Sequence, residues 1–179
     1  MAKKVIVLSA SLRRGSNSHA LAEEFARGAR EAGNDVELVS LAGKQIGFCR
    51  GCLACQKTGR CVIADDAVEI EQKVVAADVV CWATPIYYYE LSGQMKTLID
   101  RLNPMYPKDY RFRDVYLLTS AAETDPATPE RAIAGLGGWI DCYPECSLRG
   151  TVFCGGVDKP GDTAGRPELA EAYEMGRAV

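Results

Sequence analysis

The spacing of apolar residues constrains this chain most: short apolar runs alternate with longer amphipathic segments five times. Val5–Leu8, Val36–Leu41, Val79–Ala83, Val115–Thr119 and Thr151–Cys154 read as strands, short, apolar and bounded by turn residues. Between them apolar residues recur at helical spacing. Leu21, Phe25 and Ala29 mark a helix over about residues 18–32, stopped by Gly33-Asn34. Asp65-Asp66 caps a helix carrying Ile70, Val74 and Ala77, and Ser92 caps one carrying Met95, Leu98, Ile99 and Leu102. Thr128-Pro129-Glu130 starts a helix with Ile133, Leu136 and Ile140, and a last helix covers Pro167–Arg177. Strand then helix, repeated, predicts an α/β fold: a doubly wound parallel sheet with helices on both faces.

At 179 residues the chain makes one domain, residues 1–179, with a cysteine-rich insertion at about 44–64. No internal repeat or linker interrupts it, and the Pro/Gly-rich stretches 103–107 and 155–165 read as surface loops. A net charge of −3 gives no basic field, so neither nucleic acid nor an anionic membrane is an expected partner. The apolar run after Lys3-Lys4 is too short for a secretion signal, and nothing approaches the ~20 apolar residues of a membrane span. The expected location is the cytoplasm. Such a sheet binds ligands beyond the carboxyl ends of its strands, so the loops there carry the chemistry.

The first loop, Ser9-Ala10-Ser11-Leu12-Arg13-Arg14-Gly15-Ser16-Asn17-Ser18, is rich in hydroxyls and runs into a helix start. Backbone N–H donors, hydroxyls and a positive helix end suit a phosphate, and Arg13 or Arg14 adds a charge-assisted bond. It is neither a Walker loop nor a G-x-G-x-x-G fingerprint. A plain helix cap on an exposed loop is the bland alternative. The third-strand loop, Thr84-Pro85-Ile86-Tyr87-Tyr88-Tyr89, offers flat apolar walls and backbone groups suited to a ring with a polar rim; the tyrosines equally suit a sheet edge or a dimer interface.

Two segments carry a family resemblance. Ser11, Arg13, Ser16, Asn17 and Ser18 match the G-S-x-R-x-x-S-N-[ST] phosphate segment of the NADPH-dependent FMN reductase and iron–sulfur flavoprotein group, with Ala10 replacing its glycine. Pro85-Ile86-Tyr87 through Ser92-Gly93-Gln94, Lys96 and Ile99-Asp100-Arg101 resemble its P-[IV]-Y-x-x-x-x-S-[GA]-Q-x-K-x-x-[IF]-D-R stretch. The resemblance covers nearly the whole chain and implies a flavodoxin-like sheet of order 2-1-3-4-5. It also implies FMN, with its phosphate at Ser9–Ser18 and its ring between Thr84, Pro85, Ile86, Tyr87 and Tyr88 on one side and Ala121, Ala122 and Glu123 on the other. The implied reaction passes electrons from NAD(P)H or a reduced carrier to a small-molecule or protein acceptor, in a homodimer or homotetramer. A flavodoxin-type carrier without its own small-molecule substrate is the alternative. No Ser/His/Asp set or motif of paired carboxylates is present, so no protein catalytic residue is expected: the chemistry is flavin-centred.

Cys49, Cys52, Cys55 and Cys61 fall within thirteen residues, gaps that let thiolates converge. Three readings fit: a 4Fe–4S cluster, as the compact motif of the iron–sulfur flavoproteins implies; structural zinc; or free thiols. The spacing weakens zinc, whose second ligand pair usually lies a dozen or more residues away. Cys81 reads as a core residue, Cys142 and Cys146 are separated by Pro144, Cys154 ends the last strand without an obvious partner, and His19 reads as a solvated or capping residue.

Overall fold

The computed structural model describes all of residues 1–179. In chain order the elements are β1 (Lys4–Ser9), α1 (Asn17–Glu31), β2 (Asp35–Ser40), α2 (Ala54–Thr58), α3 (Asp66–Ala76), β3 (Val79–Tyr87), β4 (Glu90–Leu91), α4 (Gly93–Arg101), β5 (Asp114–Ser120), α5 (Glu130–Ile140), β6 (Ser147–Cys154) and α6 (Pro167–Arg177). The five long strands are parallel in the order β2-β1-β3-β5-β6, and β4 pairs antiparallel with the end of β3. Counting only the long strands, this is the expected 2-1-3-4-5, flavodoxin-like order.

The period of two along each strand sorts the core onto two faces. Val5 and Val7 of β1, with Val79, Cys81 and Ala83 of β3, join Leu21, Phe25 and Ala26 of α1 and Ala172 of α6. Ile6, Leu8, Val80 and Trp82 point the other way, onto Ile70 and Val74 of α3, Met95 and Leu98 of α4, and Leu136 of α5. β3 is buried on both sides because it lies mid-sheet, which is why its sequence lacks alternation. On the first face α1 and α6 pack backbone to backbone. A Cβ on Gly28 would lie 2.1 Å from the Tyr173 carbonyl oxygen, and one on Gly176 2.1 Å from that of Phe25, so only glycine permits this crossing.

Several boundaries differ from the sequence expectation. α1 covers Asn17–Glu31, one residue earlier at each end than expected, and Ser16 caps it: its hydroxyl accepts from the His19 N–H. Ala77 lies beyond α3 with extended backbone. Thr128 does not cap α5: its hydroxyl is buried without a partner. Asp125 organises that turn instead, its carboxylate accepting from the Ala127 N–H. β3 runs four residues further than the expected strand, because Thr84–Tyr87 still finds pairing partners in β5 and β4. The 103–107 stretch is not a free surface loop, since Asn103–Met105 forms a 3-10 turn with Pro104 and Met105 buried.

Candidate functional site

The loop after β1 turns into α1 at the carboxyl edge of the sheet. The N–H groups of Asn17 and Ser18, in the first turn of a 15-residue helix, take no acceptor within the chain. They are two of the donors that every helix start leaves open, and they sit where the helix dipole favours an anion. The side chains divide by role. Ser11, Arg13, Ser16 and Asn17 face an open cavity. Ser18 is fully buried and its hydroxyl lies 3.2 Å from that of Ser16. Ser9 is fully buried too, its hydroxyl 2.9 Å from His19 Nδ1. These two serines and His19 support the loop from behind.

The turn after β3 supplies the facing wall through Pro85, Ile86 and Tyr87. Thr84 does not reach the cavity. Its hydroxyl donates to Ser92 Oγ at 3.0 Å and accepts from the Ser92 N–H, fastening the hairpin to the cap of α4. Tyr88 and Tyr89 form the hairpin tip, both with positive φ, 52° and 65°, and Tyr88 is 97 % exposed.

The third wall is Ser120, Ala121 and Ala122 after β5. Ala121 is fixed on both sides: its N–H donates to the Cys154 carbonyl and its carbonyl accepts from Val157. Glu123 lies outside the cavity, and its carbonyl accepts from Gly156. A fourth wall, Val157 and Asp158 after β6, was not expected from the sequence. This segment is pinned across the first loop. Asn17 donates to the Lys159 carbonyl at 3.0 Å and accepts from Thr163, and Arg13 donates to the Asp158 carbonyl at 2.5 Å. Its Gly/Pro/Asp-rich composition signals a turn and nothing about where that turn docks. Nearby Cys154 is buried, and burial together with the Glu168 charge pushes its thiol up to about 11, so it is a protonated, unreactive thiol.

The cavity measures about 210 Å³, below the ~300–1,000 Å³ of an enclosing ligand pocket; it is an open trough. Beyond Leu12 a second hollow of about 370 Å³ is lined by Leu41, Ile46, Phe48 and the start of α4. Unpartnered N–H donors at one end of the trough and an apolar Pro85–Tyr87 wall at the other fit the phosphate and ring of FMN.

The insertion brings all four of its cysteines around one small cavity, with Asp100, Arg101, Asn103 and Pro104 behind them. Arg101 is fully buried and clamps both ends of the segment. Its two terminal nitrogens donate to the Gly47 and Ile63 carbonyls at 2.8 and 3.0 Å, and fork onto Asp65 at 2.6 and 2.8 Å. Burial opposes the Arg101 charge, but Asp65 and the neighbouring Cys61 outweigh it and hold its pKa above the ordinary value. Asn103 Nδ2 donates to Cys55 Sγ at 3.1 Å. No three His, Cys, Asp or Glu side chains converge as ligands of one metal ion. Four thiolates holding four separate irons stand further apart than ligands of a single ion, and four thiols ringing one hollow with an N–H donor on a sulfur fit that donor chemistry.

The sequence profile of a family described as NADPH-dependent FMN reductase matches residues 3–131. An iron-sulfur flavoprotein of Methanocaldococcus jannaschii is 38% identical over 57% of this chain and 53% of its own length. An iron-sulfur flavoprotein of Methanosarcina thermophila is 27% identical over 94% of this chain and 90% of its own. The match thus spans about half of the first relative. Among solved structures, an NAD(P)H:quinone oxidoreductase from Methanothermobacter marburgensis superposes with a TM-score of 0.73 at 20% identity, covering 99% of this chain and 98% of the other. An azoreductase from Bacillus anthracis gives 0.75 at 19%, covering 99% and 100%. At these identities the structural likeness is one of fold. No helix is long and apolar enough to cross a membrane.

Proposed function

The chain belongs to the NADPH-dependent FMN reductase family, and from that premise we propose that it is an FMN-dependent oxidoreductase, passing electrons from NAD(P)H or a reduced carrier to a small-molecule or protein acceptor. The observation that carries this reading is the four-walled trough at the sheet's carboxyl edge, with open helix N–H donors at one end. In this reading the N–H groups of Asn17 and Ser18 and the hydroxyls of Ser11 and Ser16 hold the phosphate, and Arg13 supplies the countercharge. Pro85, Ile86 and Tyr87 hold one side of the ring, and Ala121 and Ala122 border the other. FMN, when bound, supplies the redox chemistry, taking electrons in pairs and releasing them in pairs or singly. The chain's own part is to position, to exclude water from the inner wall, and to leave the outer side open to donor and acceptor.

The Cys49, Cys52, Cys55 and Cys61 ring is proposed to hold a 4Fe–4S cluster, which would relay single electrons. Its support is the shared hollow, the Asn103 donor on Cys55 and the iron-sulfur flavoproteins among the chain's relatives. The exposed Tyr87, Tyr88, Tyr89, Phe48 and Tyr106 support a homodimer or homotetramer. Eight unpaired cysteines suit the reducing cytoplasm.

The test is anaerobic purification, followed by a visible spectrum, FMN, iron and sulfide assays, and NAD(P)H oxidation with quinone, nitro and azo acceptors. One FMN per chain with steady turnover is expected, with about four irons per chain if the ring is loaded. FMN with negligible turnover until a protein partner is added would make the chain a flavodoxin-type carrier. A colourless protein that cannot be reconstituted with FMN would overturn the reading.

A further inference from the structure

α4 joins the two candidate centres. Its first residue follows Ser92, which is hydrogen-bonded to Thr84 beside the trough, and its last residue is the Arg101 that clamps the cysteine segment. Met95 and Leu98 are fully buried between the ends, so the helix is a fixed strut. Two residues past Arg101, Asn103 begins a 3-10 turn whose Pro104 and Met105 are buried. Its backbone is therefore held beside Cys55, itself 8 % exposed. Asn103 Nδ2 spends its hydrogen bond on a sulfur, a weak acceptor when protonated and a strong one as a thiolate.

We propose that Asn103 is a positioning residue for the cysteine ring, donating to the Cys55 sulfur so as to raise the reduction potential of the cluster held there. This rests on the cluster reading above. Reduction adds negative charge to the sulfurs, so an N–H aimed at one of them stabilises the reduced form more than the oxidised form. Arg101 makes the donor rigid: with its four hydrogen bonds to Gly47, Ile63 and Asp65, it fixes the end of α4 against the loop. Asn103 lines the cysteine cavity and not the flavin trough, and the two cavities share no residue. Its influence is thus confined to one of the two redox centres.

The experiment uses the anaerobic holoprotein and the variants Asn103→Leu and Asn103→Ala, which both remove the donor but differ in volume. Iron and FMN contents are assayed, and both couples are titrated spectroelectrochemically. The expected result is unchanged iron, an unchanged flavin potential, and a cluster about tenfold harder to reduce at fixed poise in both variants, which is about 59 mV for one electron. A cluster potential equal to wild type in both variants would overturn the assignment. So would loss of iron from both, which would make Asn103 a structural pin. Wild-type protein with FMN but no iron would remove the cluster reading, and this inference with it, while leaving the flavin reading standing.

Discussion

Asp65 shows how much one residue can carry beyond its sequence signature. From sequence it is a helix cap, and it is one, accepting from the Ala67 N–H at 3.1 Å. The same carboxylate also accepts from Gly47 at 2.8 Å and from both terminal nitrogens of Arg101. That second role was not legible, because Asp65 and Arg101 meet only after the sheet has placed α3 beside α4. Burial works against the ionised carboxylate, but the Arg101 fork and the Gly47 and Ala67 N–H groups outweigh it and hold its pKa below the ordinary 3.8. Asp65→Asn keeps a competent cap while removing the charge opposite a guanidinium with no exposure. Losing one partner of a buried pair costs about 3–5 kcal/mol, and urea denaturation at neutral pH should show that loss. Because the folded pKa is depressed, the stabilisation is complete above the unfolded value, about pH 4. It disappears as pH falls through the lower folded value. The gap between wild type and variant should therefore be flat from neutrality down to about pH 5 and close below about pH 4. A gap that narrows already at pH 6 would mean that some other group controls the pair.

Among the elements, strands and long helices were legible because burial imposes its period on the sequence. The connections were not. The β3–β4 hairpin lacks the Asn-Gly signature of a tight two-residue turn, yet Tyr88 and Tyr89 both take the left-handed conformation that such a turn demands. For a residue with a Cβ this costs about 1–2 kcal/mol each. Strain of this kind is kept where a function needs it, and the hairpin leaves the trough directly after Tyr87. Replacing the pair by Tyr88→Asn and Tyr89→Gly should relieve it. Asn relieves only part of its share, and glycine's greater freedom in the unfolded chain offsets part of the rest, so the expected outcome is about 1–2 kcal/mol greater stability of the flavin-free protein in urea with an unchanged m value, together with weaker FMN retention in a fluorescence titration. Stability gained with FMN affinity intact would remove the tip from the site. The wall after β6 was missed for a related reason: Asn17 was legible as a loop residue, but its hydrogen bonds to Lys159 and Thr163 join segments some 145 residues apart.

For the molecule as a whole, the trough is built where the fold holds itself least. Its walls are the ends of four strands, connected to one another by a few hydrogen bonds such as Val157 to Ala121 and Asn17 to Lys159, whereas the sheet below is closed by two cores. A ligand that touches every wall replaces those few contacts with its own, so its binding energy becomes folding energy. At FMN one hundredfold above its Kd the stabilisation is about 2.7 kcal/mol, which for a chain of this size raises Tm by about 5–11 °C. Riboflavin separates the two ends of the trough. It carries the ring to Pro85–Tyr87 but brings no phosphate to the Asn17 and Ser18 N–H groups, nor to Arg13. At equal concentration it should therefore shift Tm by only a small part of the FMN shift, and high salt should weaken the FMN effect while barely changing that of riboflavin. Equal shifts from the two ligands in parallel thermal scans would mean that the start of α1 is a cap and nothing more, and that the ring wall alone holds the flavin.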